Sequence, residues 1–151
     1  MIANVPFIEK KFDEFNELMF GGELKRIPIV LSKRKGQVAS FSCTISKVFF
    51  LKNKYFEPKF TFSTRYDYTE RQLEDVIIHE MIHYYIRFKG LKDEGSHGPI
   101  YVKIMNEINQ KFGRNITIKQ DTKEVGLVDT KPKQRIIAVL EKKDGTVGIK
   151  V

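Results

Sequence analysis

The sequence predicts an α+β fold in which a small, largely antiparallel sheet packs with three helices, followed by a C-terminal β-hairpin. Three segments have the apolar spacing of amphipathic helices, and short β-rich runs lie between the first two of them. Near the C-terminal end, Lys143-Asp144-Gly145 separates two further β-rich runs. Asp-Gly is a hairpin turn signal because it accepts positive φ.

The first predicted elements are a helix and a sheet. Residues 7–19 show helical spacing, and Gly21-Gly22 ends this helix, since glycine is favoured just past a helix C-terminus. Four short β-rich runs follow, at residues 27–31, 37–44, 47–51 and 59–63. Their lengths and turn-like separators predict a small antiparallel sheet.

Two further helices are predicted from their end signals. Thr69, with Gln72 three residues later, has the pattern of an N-cap in a capping box, so a helix should run from there to about Phe88. Pro99 suits the first turn of a third helix, over residues 99–112. We therefore expect one domain over residues 1–120, a polar linker or loop at 121–133 and the β-hairpin at 134–151.

The cysteine content and the N-terminal sequence predict a cytoplasmic protein. A single cysteine, Cys43, excludes an internal disulfide and indicates a reducing compartment; we expect it to be a small buried residue on a strand. No signal-peptide pattern is present at the N-terminus, and no apolar run approaches the roughly 20 residues that span a membrane. A membrane partner is not expected, whereas association with the nucleoid would fit the charge distribution.

Positive charge is concentrated in residues 21–66, which contain ten basic and two acidic side chains, a net charge of +8. Aromatic residues, Phe41 and Tyr66 among them, are interleaved with the basic ones. This pattern suits single-stranded nucleic acid, where cations follow phosphates and rings stack on bases. It equally suits a half-buried sheet with aromatics inward and lysines outward. The candidate nucleic-acid contacts are Lys33, Arg34, Lys35, Lys52 and Lys54.

The middle of the second helix carries an HExxH motif formed by His79, Glu80 and His83. Residues four apart lie on the same side of a helix, so both imidazoles should point into one space. This is the arrangement that Zn²⁺ needs from two ligands, with the glutamate as candidate general base. The helix is apolar nearly all round and should be buried, so these polar groups need partners.

A catalytic zinc site needs a third protein ligand and an open position for water. The metzincin extension of HExxH is excluded because Ile86 and Lys89 stand at its glycine and histidine positions. His97, at the entrance to the third helix, is the leading candidate. Glu107 ranks second, and Glu94 is also within reach along the chain.

Three stretches of the chain resemble the SprT-like family of zinc metalloproteases. They are Phe15-Asn16 with Phe20-Gly21-Gly22-Glu23-Leu24, residues 73–85 around HExxH, and Gly95-Ser96-His97-Gly98-Pro99 with Tyr101. The resemblance implies a zincin-like active-site helix and His97 as the third zinc ligand. Two features depart from the family pattern: Ser96 precedes His97 where the family has glycine, and one cysteine cannot form the four-cysteine zinc ribbon that often follows in bacterial members.

The motif and the resemblance together predict a zinc-dependent endopeptidase that binds one Zn²⁺ per chain. Glu80 would accept a proton from zinc-bound water as that water attacks the peptide carbonyl. The resemblance implies protein substrates attached or crosslinked to DNA, and a DNA partner that could be single-stranded or junction-like. Tyr85, Arg87 and Tyr101 are candidates for stabilising the transition state or supporting the ligands. The alternative is a non-catalytic nucleic-acid-binding module with a structural or vestigial zinc site.

Overall fold

The computed structural model describes residues 1–47, 54–119 and 126–128, which form three helices and five strands. In chain order these elements are α1 (Val5–Met19), β1 (Ile29–Ser32), β2 (Ala39–Lys47), β3 (Lys54–Ser63), β4 (Tyr66–Asp67), α2 (Glu70–Phe88), α3 (Pro99–Phe112) and β5 (Gly126–Leu127). The predicted α+β fold is therefore confirmed. None of the helices in these ranges is long and apolar enough to cross a membrane.

The helix ends follow the predicted signals closely. Thr69 and Gln72 form a complete capping box at the start of α2. Helix α1 begins two residues before the predicted start, because the Asn4 side chain accepts a hydrogen bond from the Phe7 N–H and caps it. Helix α3 ends at Gly113, whose φ of 63° suits glycine.

The main sheet is mixed, with strand order β1-β3-β2. Strands β2 and β3 pair antiparallel from Ala39 opposite Phe62 to Lys47 opposite Lys54, whereas β1 lies parallel to β3. Strand β2 is consequently an edge strand within the described part of the chain. The β-rich run predicted at 47–51 lies outside the described residues apart from Lys47, which ends β2.

A second, two-stranded pairing joins β4 to β5, with Tyr66 opposite Leu127 and Asp67 opposite Gly126. Neither strand is predicted from the sequence. Strand β5 falls within the predicted 121–133 linker or loop, and the rest of that segment, apart from Val128, lies outside the described residues. The same is true of the whole predicted hairpin at 134–151.

Helix α2 is buried on nearly every side, as its apolar sequence predicts. The exposed fraction is 0–1% for Ile77, Ile78, Met81 and Ile82. An aromatic cluster then ties the helix to the rest of the core, because the Tyr84 ring stacks on Phe41 of β2 at a centroid distance of 5.7 Å. The Tyr84 ring also packs against Phe60 of β3 and Phe12 of α1, with centroid distances of 5.9 and 6.4 Å. These contacts fix the first half of β2 against the C-terminal half of α2.

Burial of the aromatics in residues 21–66 favours the sheet interpretation of that segment for the rings described. Phe41 is half-buried in the core and Tyr66 is 2% exposed. The Tyr66 ring is therefore not available to stack on a nucleic-acid base. The basic side chains of this segment are considered with the candidate site below.

Two asparagine side chains hydrogen-bond the backbone of the segments that follow α1 and α3 and hold these segments against the helices. The Asn16 side chain donates to the Leu24 carbonyl and accepts from the Leu24 N–H, at 2.8 and 3.0 Å. Asn109 makes the same pair of bonds to Ile116, at 2.9 and 2.7 Å. Arg114 adds ion pairs to Glu74 and Asp75 of α2. The chain after α3 is thereby held against α2.

Replacing Asn16 with alanine should lower the free energy of unfolding by about 2–4 kcal/mol, because it leaves both backbone groups of buried Leu24 without these partners. Chemical denaturation monitored by circular dichroism would measure the change. Asn106→Ala is the matched control, since Asn106 is exposed on α3 and should change stability by no more than about 0.5 kcal/mol. Equal stability of the two variants would contradict a stabilising role of the hydrogen bonds between Asn16 and Leu24.

Candidate metal centre and active-site cleft

His79 and His83 lie one turn apart on α2 and face the same space, with ring centroids 5.1 Å apart. His97 reaches them from the loop before α3. Its Nε2 lies 3.1 Å from Nε2 of His83 and 3.4 Å from Nε2 of His79. Within the described residues this is the one cluster of three or more metal-ligating side chains, and its ligand atoms all lie within 4.8 Å of one another.

The protonation of these rings suits metal binding. His79 Nδ1 lies 2.8 Å from the Thr117 carbonyl oxygen, which can only accept, so the ring proton is on Nδ1 and the Nε2 lone pair is free. Burial, with a smaller contribution from neighbouring His83, lowers the pKa of His79 to about 3. Burial and then His97 lower the pKa of His83 to about 4, and burial lowers that of His97. All three rings are therefore neutral at pH 7.

The donor set fits Zn²⁺. Two Zn–N bonds of about 2.0–2.1 Å at a tetrahedral angle place their nitrogens roughly 3.3 Å apart, close to the two distances that His97 makes. His79 carries its ring proton on Nδ1, so hydrogen bonds could link all three Nε2 atoms only through a single His97 proton shared between two acceptors. A cation bound among them would satisfy their lone pairs together.

The loop that carries His97 is organised by Asp93. Its carboxylate accepts hydrogen bonds from the N–H groups of Glu94, Ile100 and Tyr101, at 2.8–3.1 Å. The last two are free N–H groups of the first turn of α3, whose N-cap, Gly98, has no side chain to satisfy them. Desolvation opposes ionisation of Asp93, but these backbone donors outweigh it and lower its pKa.

The Tyr101 ring packs against all three histidines of the cluster. The ring is fully buried, and its centroid lies 4.6–5.3 Å from the centroids of all three histidine rings. Its hydroxyl donates to the backbone carbonyl of His79 at 3.1 Å. Burial and the charge of Glu80 raise the pKa of this hydroxyl, so it stays protonated and keeps that bond. The structure therefore places Tyr101 as a support for the histidines.

Glu80 lies beside the cluster with 3% of its surface exposed. Its Oε2 is 3.9 Å from Nε2 of His79, on the side of the cleft. This separation exceeds a direct hydrogen bond, and a carboxylate at that distance can accept a proton from a water molecule held next to the histidines.

A cleft of about 400 Å³ opens over these residues. One wall is the segment that leads into and begins β2, and the other is α2 with the 96–97 turn. The lining residues are Gly36, Gln37, Val38, Ala39, Ser40, Phe41, His79, Glu80, His83, Ser96, His97, Ile118 and Lys119. The cleft gives a substrate access to the histidine cluster.

Four predicted site residues lie away from this cleft. Tyr85 packs on Phe20 at a ring distance of 5.3 Å and lines a groove between α1 and α3, where Glu107 also lies. Arg87 is exposed and lines another cavity, and Glu94 is exposed outside the histidine cluster. The structure thus brings His97, and neither glutamate, to the HExxH histidines.

Three of the five predicted nucleic-acid contacts are described side chains. Lys33, Arg34 and Lys35 are exposed on the loop between β1 and β2, immediately before the cleft wall. Lys52 lies outside the described residues, and so does the side chain of Lys54.

Sequence reasoning missed Asp93, the Thr117 carbonyl and the cleft residues Ile118 and Lys119. Asp93 had a usable signal, because an acidic residue shortly before a helix that starts with Gly-Pro can satisfy its free N–H groups. A backbone carbonyl acts without regard to its side chain, so residue type gives no signal for Thr117.

Most of the chain is similar in sequence to one known protein family and to several metalloproteases. The sequence model of the SprT-like family matches residues 8–121. The chain is 29% identical over 119 residues to the DNA-dependent metalloproteases SPRTN of Rattus norvegicus and Homo sapiens, and 32% identical over 114 residues to that of Xenopus tropicalis. These alignments cover 75–78% of this chain but 23–25% of the relatives, so the chain spans about a quarter of their length. No solved structure matches it.

Gly98→Ala should weaken Zn²⁺ binding by about 10–100-fold, the effect usual for a group that orients a ligand. A Cβ at this position would lie 2.2 Å from Oδ1 of Asp93 and 2.6 Å from the Glu94 carbonyl oxygen, so the loop must shift and move His97. Competition with a chelator of known affinity would measure the change.

Three further variants serve as controls for this measurement of metal affinity. Gly126→Ala is the matched control, because a Cβ there meets nothing within 4 Å. His97→Ala should lose the metal, whereas Glu107→Ala should bind it normally. Undiminished affinity in Gly98→Ala, with the fold intact, would contradict the role assigned to the loop.

Proposed function

The chain belongs to the SprT-like family, and on that basis we propose that it is a zinc-dependent endopeptidase acting on DNA-associated or DNA-crosslinked proteins. The observation that carries the proposal is the convergence of three neutral histidine Nε2 atoms beside a buried glutamate in an open cleft. The relatives named above are DNA-dependent metalloproteases, which supports the same activity here.

In this proposal His79, His83 and His97 hold one Zn²⁺ per chain. The ion would supply Lewis-acid chemistry, lowering the pKa of a coordinated water and polarising the substrate carbonyl. Three protein ligands leave a fourth position open, which is the composition of a catalytic site. Thr117 and Tyr101 hold the first histidine from two sides, at its ring and at its backbone carbonyl.

Glu80 is the proposed general base. Its carboxylate would take a proton from the attacking water and then deliver that proton to the nitrogen of the leaving amine. The proton thus moves from water to a carboxylate oxygen and on to the amine, while the peptide C–N bond breaks. Arg87 and Tyr85 take no part in this step, since both lie away from the cleft.

The loop of Lys33, Arg34 and Lys35 is the proposed DNA contact. Its three side chains are exposed, and the next two residues, Gly36 and Gln37, already line the cleft. Phosphates bound at this loop would therefore hold the DNA, and any protein attached to it, beside the catalytic residues. The charge of the phosphate backbone, rather than base stacking, is the proposed basis of this contact, because the Tyr66 ring is only 2% exposed.

Glu80→Gln should abolish cleavage of an unfolded protein substrate while retaining about one zinc per chain, because the amide cannot accept the proton but does not alter the three ligands. Cleavage would be followed by gel electrophoresis and zinc by elemental analysis. Glu107→Ala is a matched exposed control and should cleave normally.

Full activity of Glu80→Gln would reject the mechanism. Zinc retained without cleavage by the unaltered protein, with or without DNA, would instead support the non-catalytic nucleic-acid-binding alternative.

Replacing Lys33, Arg34 and Lys35 together with alanine should weaken DNA binding and reduce the slope of log K against log salt by roughly 2–3, since each phosphate contact contributes about 0.7–0.9. Fluorescence anisotropy with single- and double-stranded oligonucleotides over a salt series would measure the slope and show which form binds. In the control variant, alanine replaces Lys10, Lys103 and Lys111, which are exposed on α1 and α3. An equal effect of both triple variants would refute a specific contact at this loop.

A further inference from the structure

A second cavity lies along the same edge strand as the catalytic cleft. It has a volume of about 530 Å³ and is lined mainly by apolar groups of β2, β3 and the end of α2. The lining residues are Cys43, Pro58, Tyr84, Arg87, Phe88, Gly90, Leu91 and Lys92. Phe88 and Leu91 are each 43% exposed, so the apolar surface of this cavity is accessible from solvent.

The cavity and the cleft are adjacent, and a stacked ring pair divides them. Phe41 lines the cleft and Tyr84 lines the cavity, with the two rings 5.7 Å apart. Cys43 follows Phe41 by two residues and therefore projects from the same face of β2. Tyr84 is fixed in turn by a hydrogen bond from its hydroxyl to the Lys25 carbonyl. The wall between the two spaces is thus a rigid part of the core.

The lining residues also give the direction of β2 along α2. Its first residues face His79 and His83, and Cys43 faces Tyr84 and Phe88, so the strand runs from the histidine cluster toward the cavity. Cys43 lies four positions after Ala39, a distance of about 13 Å along a strand. An extended peptide that crosses the histidines beside β2 therefore reaches the cavity after three or four of its own residues.

We propose that this cavity is a specificity subsite that takes an apolar side chain of the substrate polypeptide, three or four residues before the scissile bond. The proposal rests on the endopeptidase function proposed above. Strand β2 is an edge strand in the described part of the chain, and an edge strand can pair with an extended peptide. Antiparallel pairing, the commoner arrangement, runs the peptide from the cavity to the histidines, which places the subsite on the N-terminal side.

The chemistry of the lining defines the preferred residue. The rings of Tyr84 and Phe88 offer apolar contact, and so do Leu91 and Pro58. Cys43 adds a small half-buried side chain. Exposed Lys92 lies at the same cavity, so an acidic residue beside the apolar one should be tolerated better than a basic one. Leucine, methionine or phenylalanine is the expected occupant.

Cys43 provides a test that needs no turnover, because it is the sole cysteine of the chain. Zinc-loaded Glu80→Gln protein would be mixed with peptides that carry phenylalanine or serine three or four residues before a common central bond. Alkylation of Cys43 by iodoacetamide would be followed by mass spectrometry. At equal peptide concentration the phenylalanine peptide should slow alkylation about tenfold more than the serine peptide. Equal protection by both peptides would overturn the subsite.

A cleavage assay then tests the same subsite in the unaltered sequence. Quenched fluorescent peptides with one phenylalanine scanned along the five positions before the bond should show a maximum of kcat/KM at the third or fourth position. Cys43→Phe, which fills the cavity, should lower that maximum about tenfold through KM without changing zinc content. Thr44→Phe is the matched control, since Thr44 is exposed and projects from the opposite face of β2.

The two proposals fail in different ways in these experiments. Cleavage of unfolded protein with a flat phenylalanine scan, or with a maximum outside the third and fourth positions, overturns the subsite and leaves the endopeptidase intact. Absence of any zinc-dependent cleavage overturns the endopeptidase function itself. Should Cys43→Phe not fold, the position scan and the alkylation assay still decide the question.

Discussion

The arrangement depends above all on the burial of α2, a helix that is packed on nearly every side and yet carries His79 and Glu80 at its centre. These two side chains are only 5% and 3% exposed. An unpartnered polar group in such a place costs about 1–3 kcal/mol, so the surroundings of α2 have to supply partners. The segment after α3 supplies the Thr117 carbonyl to the His79 ring, and α3 supplies the Tyr101 hydroxyl to the His79 backbone.

This constraint explains why residues far from the cleft matter to it. Thr117 can meet His79 only if the chain after α3 turns back over α2, and Asn109 and Arg114 hold it there. In the same way, His97 reaches its neighbours because Asp93 satisfies the start of α3 in place of a capping side chain. The histidine cluster and its supports are thus assembled from one helix and two loops, and each loop is fixed by hydrogen bonds to backbone groups.

The sequence predicted the parts of this arrangement that follow from local rules. The ends of α2 and α3 come from a capping box, a proline and a glycine, and the common direction of His79 and His83 comes from helical periodicity. His97 could be favoured over Glu107 by its loop position and by family resemblance.

Other parts depend on contacts between segments distant along the chain. The parallel pairing of β1 with β3 and the short pairing of β4 with β5 have no signal within either strand. The displacement of Tyr85 and Arg87 from the cleft is a matter of which helix face meets α1 and β2. A helical wheel places residues around the axis but does not say which neighbour each face meets.

The continuity of the segment from Lys33 to Cys43 joins three features that the proposals assign to separate tasks. The basic loop, the cleft wall and the second cavity follow one another along this stretch of backbone. Its middle is anchored where the Gly36 N–H donates to the Tyr66 hydroxyl at 2.6 Å and where Phe41 stacks on Tyr84. On the proposed function, DNA bound at the loop and a peptide paired with β2 would contact the same anchored segment, so the fold itself would set their relative positions.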